Sequence, residues 1–436
     1  MKIFKIVCFT ACALYCAAPS YSSDVPSGRS AKVLHQFALP SFSLANFGYT
    51  DGELAVAQAN GMPRIDLPAI GSGLQRLAGN YYVGITDRGV ALARTTPSPG
   101  RAFPLPSFTP TLVFFQAAGD EIIPQAILPI VVDDAGTPAT GIPNSATEDT
   151  FPFESLTAIA PLPFNQSGLD PEDLHTLQDG NFIVVDEYSP SLAIISETGK
   201  VLKRYTPQGV TLPEAAYPVR DRLPAILRQR RANRGFEAVA VSRDGRTAYT
   251  MTQSPLGPTG AGTPTRNSRV LRVLRLDITD PLDLQVTGQF VMLLSPATDY
   301  PAGNRPQDLK LSAAAWVTDG KLLLIERTDE PNIGGAKLIL VDLAGATDVT
   351  GLAEAQTLAL ENSALELASV GITPATTSVV YRNEETPEIT DFKLEGLTIL
   401  NRNDVALSND NDFGVEAAVA SKIWVLRLAE ALPSSQ

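Results

Sequence analysis

The 436-residue chain is poor in the residues that carry much of covalent and metal-dependent catalysis. It has three cysteines and two histidines. All the cysteines lie within the first sixteen residues, at Cys8, Cys12 and Cys16. Without that segment the chain has no disulfide, no thiolate metal site and no cysteine nucleophile. An apolar core must then hold the fold together, and a composition that is 44% hydrophobic can supply one.

Positive charge is also scarce. Lys and Arg number 34 against 47 Asp and Glu, which gives a formal net charge of −13. Nucleic acids and anionic membranes are bound through clustered positive charge, so neither is an expected partner. Grouped carboxylates attract Ca²⁺ or Mg²⁺ instead. We therefore expect the ligand to be a small anionic molecule that binds at a bound cation. We also expect the protein to be a monomer.

Several catalytic motifs are missing from the sequence. It contains no Gly-x-Ser-x-Gly elbow, no Gly-x4-Gly-Lys phosphate loop and no His-Glu-x-x-His helix. His35 lies on a predicted strand, and His175 follows Glu172 on another. We expect structural roles for both, with a general base at His175 as the alternative. A Ser-His-Asp hydrolase is not expected.

The first 23 residues have the features of a secretory signal peptide. Lys2 and Lys5 precede an apolar stretch at residues 6–18, which is too short to span a membrane. Cleavage is expected between Ala18 and Ser23, and the protein is then periplasmic or secreted. A lipoprotein anchor at Cys16 is the alternative, but the bulky Tyr15 before it argues against processing there.

Residues 393–414 predict a β-hairpin with an acidic end. Glu395 opens an apolar strand, a polar turn follows at residues 401–404, and residues 409–412 close the second strand with the sequence Asn-Asp-Asn-Asp. Because a hairpin folds back on itself, its opening and closing residues lie side by side at one edge of the sheet. Five oxygen-bearing side chains are thus predicted to converge.

Four further hairpins share this pattern. We call the residue that begins each first strand an opener and those that follow each second strand closers. The openers are Gly71, Glu172, Glu237, Ser312 and Glu395. The closers are Asp87 and Arg88, Asp186 and Glu187, Gln253, Glu326 and Arg327, and residues 409–412. Repeated four-stranded units of this kind predict an all-β fold, a β-propeller of six blades with short helical insertions.

Residues 24–436 are expected to form a single propeller domain. The strand predicted at residues 422–428 should pair with that at residues 32–39 and close the ring, which removes exposed strand edges. Apolar runs at residues 111–116 and 122–132 are interpreted as outer strands. Helices are expected within residues 217–233, which are arginine-rich, and within residues 352–370, which are rich in Ala, Leu and Glu.

These motifs resemble a known family. DPEDL, DGNFIVVDEY, RGFEAVAVSRDG, KLLLIERTD and KLEGLTIL…LSNDNDFG are similar to segments of the bacterial phytase-like proteins, often labelled "esterase-like activity of phytase". The resemblance implies a secreted β-propeller with a metal-lined mouth and a phosphoesterase or esterase activity. This chain departs from the family pattern at Asp173 and Ala238, where Gly is usual, and at Gln253, where Glu is usual.

The recurring glutamates predict a shared metal site. Glu172, Glu237 and Glu395 should lie within about 10 Å of one another at one end of a central channel, because equivalent positions of radial blades surround one axis. Asp410 and Asn411 should join them, and Ca²⁺ suits such a ring of oxygen atoms. The alternative is that acidic residues merely begin and end strands.

Two classes of function fit this site. In the first, the cation activates a water molecule of a hydrolase, Glu187, Glu326 and Arg327 are catalytic, and Arg88, Arg234 and Gln253 bind an anionic substrate. In the second, the propeller is a binding protein with a structural Ca²⁺. The two classes differ in whether the cation keeps an open coordination position.

Overall fold

The computed structural model describes residues 25–40, 42–146, 150–328, 334–391, 393–415 and 418–434. The predicted signal peptide lies outside the described residues. Between residues 25 and 434 the secondary structure is mainly β, with one α-helix, α1 (Asp51–Ala59), among the described residues.

Twenty-four strands build the described part of the chain. In chain order they are β1 (Ala31–Ala38), β2 (Gly73–Ala78), β3 (Tyr81–Ile85), β4 (Leu92–Arg94), β5 (Gly100–Ala102), β6 (Thr111–Ala118), β7 (Glu121–Pro129), β8 (Pro152–Phe153), β9 (Pro171–Thr176), β10 (Phe182–Asp186), β11 (Ser191–Ile195), β12 (Val201–Pro207), β13 (Val219–Leu223), β14 (Phe236–Val241), β15 (Thr247–Thr252), β16 (Val270–Asp277), β17 (Gln285–Leu293), β18 (Leu309–Thr318), β19 (Lys321–Thr328), β20 (Ala336–Asp342), β21 (Thr376–Arg382), β22 (Leu394–Ile399), β23 (Asp404–Asn409) and β24 (Lys422–Leu428).

The strands form a β-propeller, as predicted. Blade 1 is β2-β3-β6-β7, blade 2 is β9-β10-β11-β12 with β13 at its outer edge, blade 3 is β14-β15-β16-β17, and blade 4 is β18-β19-β20-β21. Blade 5 is β22-β23-β24 completed by β1, which pairs antiparallel with β24. The predicted closure of the ring by the two ends of the chain is therefore confirmed.

Neighbouring blades are joined near the axis by specific contacts. Each inner strand, β2, β9, β14, β18 and β22, lies against the next around the ring. One polar contact per junction illustrates this closure: Thr176 N donates to Gln75 Oε1, Val239 N to Asp173 Oδ2, Leu311 N to Gln253 O, Arg327 pairs with Glu395, and Ser408 Oγ donates to Gly71 O. Apolar clusters fill the space between blades, and Trp424 is fully buried in one of them.

The blade count of six is wrong: the described residues form five blades. The apolar runs at residues 111–116 and 122–132 lie mainly in β6 and β7, which are the outer strands of blade 1, as interpreted from the sequence. The short strands β4, β5 and β8 form a separate three-stranded sheet outside the ring. Two- and three-residue strands bury too little surface to make a blade, whereas five hairpins already close the circle of inner strands.

The hairpin turns form at Asp-Gly pairs as the sequence indicates. Asp179 Oδ1 accepts a hydrogen bond from Asn181 N, and Asp244 Oδ1 accepts one from Arg246 N. The glycine that follows each Asp has a positive φ, 85° at Gly180 and 68° at Gly245. Such backbone angles cost little only for glycine, so these turns fix the register of the inner hairpins.

Helical insertions are short and differ from the expected ones. Residues 217–233 contain β13 and a 3-10 turn (Ala225–Gln229), because Pro224 interrupts helical hydrogen bonding. Residues 352–370 contain two 3-10 turns (Glu354–Gln356 and Leu367–Val370), docked on blade 3. The α-helix α1 was not predicted, and its Thr50 cap exchanges hydrogen bonds with Glu53.

Candidate metal centre

The structure brings the glutamate openers together at one mouth of the propeller. Glu172, Glu237 and Glu395 are each the second residue of an inner strand, β9, β14 and β22. Burial raises the pKa of Glu172 well above its ordinary value, and the nearby Glu237 and Glu395 carboxylates raise it further. Carboxylates that raise one another's pKa in this way lie near one another.

A first acidic cluster lies at blade 2. Asp170, Glu172 and Glu187 place one carboxylate oxygen each within 4.8 Å of one another. Burial raises the pKa of Asp170 to about 6, which Asp186 adds to and Arg88 opposes. Burial also raises the pKa of Glu187 to about 7, and Asp170 is the next contributor. These carboxylates lie in a region that disfavours their ionisation when no cation is bound.

Glu172 is the least compensated member of this cluster. Among the residues that the structure describes, none donates a hydrogen bond to its carboxylate or forms an ion pair with it. After burial, the strongest influences on its pKa are all other carboxylates. Its side chain is partly exposed towards the mouth, so an added ion can reach it.

Gln253 joins the first cluster to blade 3. Its Nε2 donates to Glu237 Oε2 at 2.7 Å and to Glu187 Oε1 at 3.3 Å. Its Oε1 is buried and accepts no hydrogen bond from any described residue. Burial, then Glu395 and Glu187, raise the pKa of Glu237 well above its ordinary value. A buried acceptor without a donor, next to repelling carboxylates, is the arrangement that a cation or its bound water would satisfy.

A second acidic cluster lies between blades 1 and 5. Asp87, Asp410 and Asp412 also place their carboxylate oxygens within 4.8 Å of one another. Lys393 Nζ lies 2.6 Å from Asp410 Oδ2 and contacts Asp412 Oδ1. Burial acts to lower the pKa of the Lys393 ammonium, but Asp410, Asp412 and Glu395 together raise it well above its ordinary value.

The loop that carries the second cluster is fixed by its own backbone. Asp412 and Phe413 both have positive φ, 47° and 53°, a conformation that is held only by surrounding contacts. Phe413 is buried and packs edge-on against Phe108, with ring centroids 5.1 Å apart. Residues of α1 complete the apolar cluster around Phe413. The N-terminal segment thus supports the acidic loop, a role that its sequence did not indicate.

The predicted arginines lie at the mouth and are engaged with carboxylates or polar groups. Arg88 Nη1 lies 2.8 Å from Asp170 Oδ2, and Arg88 Nη2 donates to Asn233. Arg327 pairs with Glu395 and donates to Ser312 Oγ at 2.6 Å. The Arg234 guanidinium lies apart from these pairs and donates to Ser254 Oγ and to Gln307 O, both at 2.8 Å.

Two predicted site residues use their polar groups in hydrogen bonds to residues outside the two acidic clusters. Glu326 accepts hydrogen bonds from Tyr300 Oη at 2.8 Å and from Ser295 N at 2.9 Å, which places its carboxylate between blades. Asn411 Oδ1 accepts a hydrogen bond from Phe413 N, and its Nδ2 donates to Val419 O. Glu326 is therefore not placed as a catalytic group, and Asn411 holds the loop shape.

Other residues at the mouth were missed in the sequence. Asp170 belongs to the first cluster as firmly as Glu172, and Lys310 acts on the pKa values of Glu187 and Glu237. Asp170 lies two residues before the Glu172 opener, so its position in the repeat could have indicated it. Lys393 and Lys310 carried no signal, because a lysine beside a strand is usually solvated.

The two histidines take no part in the mouth. His175 Nδ1 lies 2.8 Å from Thr176 O, and burial lowers the pKa of the His175 ring. Gln75 Nε2 lies 3.4 Å from His175 Nε2. The His35 ring stacks on Phe37 in the closing strand, with centroids 5.9 Å apart. Both positions agree with the structural roles expected of them.

The fold and the mouth together define a β-propeller with a candidate metal centre. Residues 70–413 match the phytase-like family, described as "esterase-like activity of phytase". This match spans more than three quarters of the chain, and the chain belongs to the phytase-like family. The resemblance noted in the sequence is thereby confirmed, and both acidic clusters lie within the matched residues.

One curated relative shares part of this sequence. A protein of Arthroderma benhamiae named "Uncharacterized secreted protein" is 28% identical over 236 residues, which cover 48% of this chain and 45% of the relative. The chain thus matches less than half the length of that curated relative. Among the described residues, no helix combines the length and the apolar composition needed to cross a membrane.

Solved structures give only a weak likeness. The β-propeller domain of Cps50 (Swd1) from Myceliophteria thermophila is 9% identical, with a TM-score of 0.29 over 81% of this chain and 69% of that chain. The major allergen Mala s 1 of Malassezia sympodialis is 9% identical, with a TM-score of 0.33 over 82% and 77% of the two chains. At these TM-scores the likeness carries no argument, and the blade assignment comes from the strand pairing of this chain.

Proposed function

We propose that this protein is a metal-dependent hydrolase that cleaves a phosphate ester or a related ester of a small anion at the propeller mouth. The observation that carries the proposal is the first acidic cluster. Three carboxylates have their oxygens within 4.8 Å of one another, and the neighbouring Gln253 leaves a buried acceptor oxygen without a donor. Family membership supports a hydrolase but does not identify its substrate.

The donor set favours Ca²⁺. Asp170, Glu172 and Glu237 would hold the cation, with the Gln253 amide oxygen available to it or to its bound water. All of these donors are oxygens, and hard cations such as Ca²⁺ bind six to eight of them. When bound, the cation would polarise the ester oxygen and lower the pKa of a water molecule.

Glu187 is the residue best placed to accept the proton of the attacking water. Burial raises the pKa of its carboxyl group to about 7, close to the value that suits a general base near neutral pH. The Gln253 amide, which donates to Glu187 at 3.3 Å, holds the carboxylate in place. A neighbouring cation would keep Glu187 ionised, because positive charge favours the carboxylate form.

Positive side chains around the mouth would orient the anionic part of the substrate. The Arg88 and Arg327 guanidiniums lie beside Asp170 and Glu395, and the Lys310 ammonium acts to lower the pKa values of Glu187 and Glu237. These pairs leave the local charge negative when the cation is absent. A substrate anion should therefore bind well only after the cation has bound, which makes binding metal-dependent even before chemistry.

A binding protein with a structural cation is the second candidate function. The observation that favours it is the engagement of Arg88 and Arg327 with carboxylates, which suits a rigid mouth whose arginines are already paired. In that case the cation would stabilise the fold and turn over no ester. Ligand binding would then persist in a variant that lacks Glu187.

A hydrolase screen with two matched variants tests the proposal. Phosphomonoesters, phosphodiesters, phytate and short acyl esters are offered to the purified protein with Ca²⁺ and with EDTA. Glu187→Gln should abolish turnover, whereas Glu326→Gln should leave it intact, because Tyr300 and Ser295 already occupy the Glu326 carboxylate. No turnover of any of these substrates would refute the hydrolase. Equal turnover by Glu187→Gln and the unmodified protein would refute the role of Glu187 as the base, and activity that survives EDTA would refute the metal dependence.

Export is part of the same proposal. The N-terminal 23 residues have a signal-peptide pattern, and the Arthroderma relative is named a secreted protein. We expect a periplasmic or secreted protein that works as a monomer and interacts with neither nucleic acid nor membrane. Intact mass of protein from the periplasm or medium should show loss of roughly 18 to 23 residues, as expected of a signal peptide.

A further inference from the structure

The second acidic cluster already contains a positive charge of its own. Lys393 Nζ lies 2.6 Å from Asp410 Oδ2, contacts Asp412 Oδ1 and lies 3.9 Å from Glu395 Oε1. Asp87, Asp410 and Asp412 have carboxylate oxygens within 4.8 Å of one another. An ammonium group with three donors therefore already binds two of the three carboxylates of this cluster, as a cation would.

The first cluster is arranged differently. Arg88 approaches Asp170 through one guanidinium nitrogen at 2.8 Å, and its other terminal nitrogen points to Asn233. Neither Glu172 nor Glu187 forms an ion pair with a described residue. The two clusters are therefore not equivalent: two carboxylates of the second are bound by an ammonium, and two carboxylates of the first are not.

The Lys393 ammonium is bound by a loop whose conformation is fixed by its own contacts. Asp410 Oδ1 accepts a hydrogen bond from Asp412 N at 3.0 Å, so the two aspartates are fixed relative to each other. Phe413, the next residue, is buried against Phe108. Expelling Lys393 would leave its charge and the Asp410 carboxylate, which is 3% exposed, without their partners.

We propose that Lys393 is the resident cation of the second cluster, and that the mouth consequently takes one divalent ion and not two. Lys393 is then a positioning residue that fixes metal stoichiometry and holds Asp410 and Asp412 beside Glu395. This inference depends on the proposed function only in its assumption that the first cluster binds the divalent ion. The proposed reaction would then use a single metal ion, and positively charged side chains, not a second metal ion, would stabilise the leaving oxygen.

Calorimetric titration with Ca²⁺ near neutral pH tests this inference. Lys393→Gln removes the charge at similar length, and Lys393→Arg retains it as the matched control. The unmodified protein and Lys393→Arg should each bind one Ca²⁺, and Lys393→Gln should bind one more. In Asp87→Asn, which keeps Lys393, the stoichiometry should remain that of the unmodified protein, and this variant serves if Lys393→Gln does not fold.

The possible outcomes separate the two proposals. Two ions bound by the unmodified protein, or a lower stoichiometry in Asp87→Asn, would overturn the resident-cation inference. Equal stoichiometry in Lys393→Gln and the unmodified protein would overturn it as well. No ion in the unmodified protein and one in Lys393→Gln would uphold the role of Lys393, while showing that the proposed metal centre at the first cluster is wrong.

Discussion

Replacing Glu172 by Gln should stabilise the metal-free protein and weaken its response to Ca²⁺. The Glu172 carboxylate has no hydrogen-bond donor or ion-pair partner among the described residues and lies close to Glu187, Glu237 and Glu395. Without a cation its charge is a cost to the folded state, and neutral glutamine removes that cost. With a cation the same carboxylate becomes a ligand, and its loss lowers affinity.

The size of both effects follows from simple limits. At pH 7 a carboxyl group with an ordinary pKa of about 4.3 can lower the free energy of unfolding by at most about 3.7 kcal/mol, because beyond that value it binds a proton and becomes neutral. We expect roughly 2 kcal/mol. The unfolding entropy of about 410 residues is about 0.9 kcal/mol per kelvin, so the melting temperature in EDTA should rise by about 2 °C. Ca²⁺ at a hundred times its Kd adds about 2.7 kcal/mol, or about 3 °C.

Differential scanning calorimetry in EDTA and in Ca²⁺ measures both effects on one sample. In Glu172→Gln, an affinity about a hundredfold weaker would reduce the Ca²⁺ shift to under about 1 °C. Glu197→Gln, an exposed glutamate in the same blade, is the matched control and should change neither value. A lower melting temperature of Glu172→Gln in EDTA, or an undiminished Ca²⁺ shift, would refute the reasoning.

Three further results are expected. The folded pKa values of Asp170 and Glu187 are raised to about 6 and about 7, so these groups stabilise the metal-free protein fully below about pH 4, and this contribution is lost as pH rises through 6 to 7. Chemical denaturation should show the free energy of unfolding falling over this range, and Ca²⁺ should remove the fall. Arg327→Met should cost about 3 to 5 kcal/mol in urea unfolding by stranding Glu395, and adding Glu395→Gln should recover part of it. Gln253→Glu should tighten Ca²⁺ binding in calorimetry but lower the melting temperature in EDTA, and a rise in both would contradict the packing described.

The repeat could be predicted from sequence because its signals are local. Alternating apolar residues, Asp-Gly turns such as Asp179-Gly180, and an opener at a constant offset all lie within twenty residues of one another. Ring closure by β1 and β24 also followed, since a propeller must pair its terminal strands. The number of blades did not follow, because it depends on whether irregular segments find a place at the axis.

The direction in which each side chain points was harder to predict. Adjacent residues of a strand point to opposite faces, so Glu326 and Arg327, which both lie in β19, cannot both face the mouth. The structure places Arg327 there, and a bulge between Leu311 and Ala313 sets the register that decides this. Likewise Glu187 lies at the mouth, and Asp186 pairs with Arg204 away from it. Composition cannot distinguish the members of such a pair.

A single buried residue connects several blades next to the glutamate openers. Asp173, where the family resemblance leads one to expect glycine, lies immediately below the Glu172 opener and is 2% exposed. Its carboxylate accepts hydrogen bonds from Leu174 N and Val239 N and from the backbone of Ala314, in blades 2, 3 and 4, and burial raises its pKa well above the ordinary value.

On the remaining side of the axis, a Cβ added at Gly73 of blade 1 would lie 2.9 Å from Asp173 Cα, so backbone from four blades closes around this side chain. We infer that this packing closes the axis at the level of Asp173, so that water would reach the glutamate openers from the mouth side. Because the carboxylates are solvated from one side only, their repulsion is poorly screened, and a cation gains more from binding them than it would at an open surface. A substrate of the proposed hydrolase would then enter and leave by the same mouth, where the proposed cation and Glu187 lie.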